Sequence, residues 1–187
     1  MKSIKLKSWL FFLAIIYISP VIAANVALVP KTGPSISAGT GKQWPSSRFQ
    51  NYKESCVIDN LTGLVWMKDA SALGKTNRGT ALTKINQMNT DNTSSYYNLC
   101  GYTDWRMPNI NELRSLINYQ TSNTPRTTPA AWLNSNGFTN VKVGLDDDFY
   151  WTSTLFTNGS YWGIDFYYGV TVNGSDTSWV WAVRGGK

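Results

Sequence analysis

Gly101-Tyr102-Thr103-Asp104-Trp105-Arg106-Met107-Pro108-Asn109-Ile110-Asn111-Glu112-Leu113 carries an aromatic and arginine turn straight into a helix start. Pro108 disfavours helix at the residue before it. Asn109 followed by Glu112 has the spacing of a capping box, with Asn in place of the usual Ser or Thr. The spacing predicts a helix from about Ile110 to Tyr119. Leu113, Leu116 and Ile117 supply its apolar face, and Asn111, Arg114, Ser115 and Asn118 are expected to face water. Trp105 and Arg106 then stand at the mouth of this helix as a buried anchor and its polar partner.

Outward from this point, an earlier helix is predicted between Thr80 and Asn89, where Ala81, Leu82, Ile85 and Met88 form an apolar face. Gly63-Leu64-Val65-Trp66-Met67 follows an Asx and Gly turn and reads as a strand. Residues 91–98 and 121–129 read as polar loops. The last third is dense in aromatics and breaks into short strands at 150–155, 161–168, 170–172 and 179–184. Asn158-Gly159 and Asn173-Gly174 sit between them as hairpin signals. The expected class is α+β: two helices with an antiparallel β meander rich in aromatics.

Four segments carry a resemblance. Cys56-Val57-Ile58-Asp59-Asn60-Leu61-Thr62-Gly63-Leu64-Val65-Trp66, the stretch from Gly101 to Leu116, Tyr150-Trp151-Thr152-Ser153-Thr154 and Val180-Trp181-Ala182-Val183-Arg184-Gly185 occur in this order. Together they are similar to the motifs of the Lcl C-terminal domain family, a domain of unknown function named after the C-terminus of a bacterial collagen-like adhesin. The resemblance implies a C-type-lectin-like fold, in a superfamily that also holds formylglycine-generating enzymes. It also implies structural roles for Trp66, Trp105, Arg106, Glu112, Trp151 and Arg184, which stand at motif positions. The chain has no Gly-x-y repeat, so the trimer of a collagen stalk is not implied.

The N-terminus reads as a secretory signal peptide over residues 1–23. It has a basic start at Lys2, Lys5 and Lys7, an apolar run from Trp9 to Ile18, and a small-residue cleavage site ending at Ala23. An uncleaved membrane anchor is the competing reading of the same run. Residues 24–49, with Pro30, Gly33, Pro34, Gly39, Gly41 and Pro45, suit an extended arm or linker, and 50–187 the domain. Without the signal, 14 basic and 11 acidic residues leave a net charge of only +3, and no dense basic run favours nucleic acid. Export would place the protein in the periplasm, on the outer surface or outside the cell. Two cysteines in an exported chain invite a Cys56–Cys100 bridge, whereas cytosolic retention would leave two thiols.

Chemistry is sparse. The chain has no histidine, which excludes Ser-His-Asp and Cys-His nucleophiles, and no phosphate-cradling glycine loop or dinucleotide fingerprint. No enzyme activity and no cofactor are expected; a degenerate oxidase-like enzyme is the least favoured alternative. Asp146 and Asp148, in the acidic run 146–148, are weak calcium candidates, with a solvated turn as the simpler reading. The expected function is a non-catalytic exported binding module. The resemblance points to an extracellular glycan, sulfated ones included, as its ligand in adhesion, and an envelope structural or protein-interaction domain is the alternative. Tyr161, Tyr167, Tyr168 and Trp179 are the candidate sugar-stacking aromatics, and Lys42, Arg48 and Lys53 a candidate basic edge.

Overall fold

Asn77 lies in extended backbone and its side chain accepts the N–H of Thr80, a cap that opens the first helix, Arg78–Thr90 (α1). The computed structural model describes residues 29–121, 128–143, 148–157, 159–173 and 176–185, and the signal segment lies outside them. Ala81, Ile85 and Met88 bury one stripe of α1, while Leu82, a quarter-turn round, is exposed. At the second helix, Ile110–Ser115 (α2), the capping box forms. Asn109 Oδ1 accepts the Glu112 N–H at 2.9 Å and Glu112 Oε2 accepts the Asn109 N–H at 2.8 Å.

α2 is shorter than the sequence predicts. Its last turn tightens, with Ile117 N–H bonded to Arg114 O. Asn118, expected in water, is buried and folds back to accept the Gln120 N–H at 3.0 Å. A third helix, Pro129–Ser135 (α3), was not among the expected elements. Thr128 caps it by accepting the Ala131 N–H, and Pro129 occupies its first turn, where no N–H partner is needed. Ala130 N–H bonds to Phe166 O, which seats the helix on the C-terminal strands.

The strands form two sheets. In the first, Phe49–Tyr52 (β1), Cys56–Asp59 (β2) and Leu64–Met67 (β3) run antiparallel in sequence, and Val183–Gly185 closes beside β3. The second holds Lys75–Thr76 (β4), Tyr150–Leu155 (β5), Tyr161–Asp165 (β6), Val170–Asn173 (β7) and Ser178–Trp179 (β8), in the order β4-β8-β5-β6-β7. β5, β6 and β7 make the expected antiparallel meander, although Asn158 and Gly174 of its turn signals lie outside the described residues.

The expected strand 179–184 divides instead. β8 pairs with β5 in parallel, and Val183–Gly185 (β9) crosses to the first sheet. The cause is Trp181 between the two pieces. Its indole N–H donates to Met67 O at 2.6 Å, and its ring lies 5.2–5.9 Å from those of Trp66, Phe138, Tyr150 and Phe166. One side chain thus packs against both sheets at once, at the point where the chain passes from one ladder to the other.

Cys56 of β2 and Cys100, in the 3₁₀ turn Leu99–Gly101, are joined by a disulfide that closes a loop with a sequence separation of 44. Chain entropy alone gives such a link about 4 kcal/mol. Cys100→Ser is expected to lower the free energy of unfolding by about this amount, read from denaturant titration. Thiol counting on unreduced, unfolded protein is expected to find no free thiol.

Candidate functional site

Proline, glycine and serine between 29 and 48 do produce irregular backbone, but this arm is packed rather than loose. Lys31 N–H donates to Lys42 O and Lys42 N–H to Val29 O across an isolated parallel bridge between Pro30 and Lys42, Thr32 O accepts the Tyr119 N–H at 2.9 Å, and Ser35 N–H donates to Gln120 Oε1. Gly33 lies directly under the Gln120 side chain, which a Cβ there would displace. Trp44 anchors the arm. It is only 6% exposed, and its indole N–H donates to Lys31 O at 2.7 Å.

Arg48 corrects the expected basic edge. It is 5% exposed and makes a two-pronged contact with Asp59, Nε to Oδ1 at 3.0 Å and Nη2 to Oδ2 at 2.9 Å. Nη2 also donates to Ser115 O, the guanidinium carbon sits 4.2 Å from the Trp44 ring centre and 4.6 Å from that of Phe49, and Nη1 is sealed from solvent. Asp59, fully buried, further accepts the Leu61 N–H and the Thr62 hydroxyl. Lys42 and Lys53 are exposed but far apart along the β1–β2 hairpin. Lys42 Nζ reaches Leu61 O beyond one end of β2, and Lys53 Nζ reaches Cys100 O at the other.

Arg48 instead helps to wall a cleft of about 440 Å³ between the arm, β1 and the end of α3. The Trp132 ring centre lies 5.5 Å from that of Trp44 and 5.7 Å from that of Phe49. Ser46, Ser47, Asn51 and Asn136 add hydroxyls and carboxamides to the lining. Asn136 Nδ2 donates to Trp132 O at 2.7 Å, which holds the amide beside the ring. Gly137, with φ of 108°, lets the chain turn off the end of α3 along the cleft. The arrangement offers the half-buried rings of Phe49 and Trp132, backed by the buried Trp44, next to neutral donors and acceptors. The sequence signal for it was the pair Trp44 and Phe49, two large aromatics in a stretch whose composition otherwise reads as linker.

The four aromatics singled out from the sequence are not gathered into one platform. Tyr161 begins β6 and lies under the Arg78 guanidinium at 3.4 Å, whereas Tyr167 and Tyr168 follow the other end of β6, edge to face at 4.7 Å. Tyr168 is exposed, but the cavity it lines with Tyr119 is about 70 Å³, room for little more than two waters. Trp179 lies two strands away, its indole N–H on Asp148 Oδ1 and Lys142 Nζ 5.1 Å from its ring. Asp148 is also paired with Lys75 at 3.1 Å, and Asp146 lies outside the described residues. Among the described residues, no group of three or more His, Cys, Asp or Glu side chains could hold a metal ion.

The motif side chains serve the framework. Trp66 is fully buried, Trp105 is buried with its backbone held by Asn89, and the Trp151 indole N–H donates to Thr76 O. Arg106 grips both carboxylate oxygens of Glu112 at 2.7 and 2.6 Å and donates to Gly185 O, which ties the start of α2 to β9. Its charged form is strengthened first by those Glu112 bonds. Arg184 stacks on Tyr102 at 3.8 Å and bonds both oxygens of Asp104, holding that carboxyl below the usual range. The Tyr102 hydroxyl, bonded to that of Tyr52, is pushed up. These groups are committed to one another.

The family model of the Lcl C-terminal domain matches residues 55–184. Among curated proteins nothing matches the chain. The matched stretch contains α3 and Trp132, and the arm that supplies Trp44 and Arg48 precedes it.

Arg48→Ala would leave the Asp59 carboxylate buried without its counter-charge, and a loss of about 3–5 kcal/mol of stability is expected, measured by denaturant unfolding. A second expectation concerns Asp165, buried at the end of β6. Burial raises its carboxyl above the ordinary Asp range despite backbone N–H donation from Tyr167 and Tyr168. The folded state therefore takes up this proton before the unfolded chain does. Asp165's contribution to stability is greatest below the ordinary Asp range and is lost as pH rises through its raised value. Asp165→Asn should gain most over the parent at neutral pH, with the difference shrinking as unfolding is repeated at lower pH.

Proposed function

This chain belongs to the Lcl C-terminal domain family, and we propose that it is an exported, non-catalytic binding module that recognises an extracellular glycan in adhesion. The observation that carries the reading is the cleft bounded by Trp44, Phe49 and Trp132 and edged by serine and asparagine side chains. A pyranose ring has an apolar C–H face that lies on an indole, and a rim of hydroxyls that needs neutral groups able to donate and accept. An apolar wall with a few fixed polar groups meets both needs. This reading sets the cleft before the sequence-based choice of Tyr161, Tyr167, Tyr168 and Trp179, which lie apart along the second sheet.

The Cys56–Cys100 disulfide supports an oxidising compartment, periplasmic or extracellular, and no helix among the described residues is long and apolar enough to cross a membrane. Two antiparallel-rich sheets flanked by short capped helices, with long irregular segments building the cleft, support the C-type-lectin-like affinity of the fold. Docking of an envelope protein has less support. The exposed apolar side chains Leu155 and Val170 stand opposite Tyr161 and Asp165, at opposite ends of β6, and form no continuous patch.

A glycan panel followed by calorimetry tests the reading. Trp132→Ala and Asn51→Ala are expected to weaken binding about tenfold or more, or about 1.4 kcal/mol, while Tyr168→Ala leaves it unchanged. Thermal unfolding of each variant separates loss of binding from loss of fold. Failure of every glycan to bind would refute the reading.

A further inference from the structure

The charge inventory of the cleft narrows its occupant. Of the side chains lining it, Arg48 is the only ionisable one among the described residues. Its guanidinium is neutralised by the two oxygens of Asp59, packed against two rings, and sealed from solvent at Nη1. A sulfate or carboxylate entering here would shed hydration without an accessible cation to replace it, and burial of an unpaired charge is strongly disfavoured. Lys42 and Lys53, the nearest exposed lysines along the chain, do not line the cleft, and their ammonium groups are bonded to Leu61 O and Cys100 O.

What remains on the walls is aromatic surface, hydroxyls and carboxamides. Ser46, Ser47, Asn51 and Asn136 each both donate and accept, which suits sugar hydroxyls and acetamido groups and gives no preference for net charge. From this inventory we infer that the cleft takes an uncharged oligosaccharide, built of hexose or N-acetylhexosamine units. The inference rests on the glycan-binding reading and specifies its ligand class. It also locates selectivity, because Trp44, Ser46, Ser47, Arg48 and Asn51 all precede the family-matched stretch that begins at residue 55. The lead-in segment, not the matched domain alone, decides which sugars are admitted.

The experiment titrates the full chain with uncharged hexose and N-acetylhexosamine oligosaccharides and, separately, with heparin-derived oligosaccharides, each from low to high salt. The expected result is binding of an uncharged oligosaccharide that changes less than about twofold with salt, since no exposed charge pair is there to be screened. Trp132→Ala should abolish it or weaken it about tenfold. Tighter binding of the sulfated ligand that falls steeply with salt and is lost in Trp132→Ala would overturn the inference while leaving glycan recognition at the cleft intact. Sulfated binding indifferent to Trp132→Ala, with no uncharged ligand bound, would overturn the inference by placing recognition elsewhere. Absence of binding to both classes would remove the inference together with the reading beneath it.

Discussion

Arg48 and Asp59 are both out of water, and that pair is the constraint on which the N-terminal half depends. Withdrawing two charges from solvent costs several kcal/mol for each, recovered only when geometry is good and the remaining lone pairs are filled. Asp59 meets both conditions. Besides the two guanidinium bonds it takes the Leu61 N–H and the Thr62 hydroxyl, so the turn after β2 is built around it. Arg48 carries the effect outward, to the end of α2 through Ser115 O and to Trp44 and Phe49 through their rings. The arm, the first sheet and α2 therefore share one fixed point, and the cleft is what that fixed point leaves open.

Local features were legible in the sequence, and features settled by distant partners were not. The Asn109–Glu112 cap and the buried stripe of α1 depend on residues three or four apart, and both formed as expected except that Leu82 stands outside the stripe. The Cys56–Cys100 bridge could be read from two cysteines and the expectation of export. α3 escaped because seven residues give too little periodicity, although Thr128 followed by Pro129 was a start signal. Trp179 to Arg184 has the alternation of one strand, yet Trp181 needs Met67 O, 114 residues earlier in the chain, and the ladder breaks to reach it. Arg48 was assigned to solvent because nothing within a few residues of it is acidic. Its partner, Asp59, stands across the β1–β2 hairpin in register with Phe49, one residue after Arg48.

The candidate site was hidden for a related reason. Composition weighs Pro, Gly and Ser as signs of a linker, but a segment can lack secondary structure and still be held at many points by hydrogen bonds and one buried indole. Gly33 under Gln120 and Trp44 over Arg48 hold this arm so. Division of labour follows. The matched domain supplies one wall of the cleft through α3, and the irregular lead-in together with β1 supplies the opposing one.

Trp181 and β9 also govern the order in which the molecule can be made. β9 pairs with β3 between residues 183–185 and 64–66, so the first sheet remains short of a strand until nearly all of the described chain is available. A contact between points so distant carries a large loop-closure cost before it returns any burial, and topologies of this kind fold slowly. During synthesis the aromatic faces of Trp66, Phe138 and Tyr150 would wait uncovered until Trp181 arrives. The domain thus closes from its C-terminal end, and its vulnerable interval for aggregation or proteolysis is the time between the emergence of β3 and the docking of that one indole.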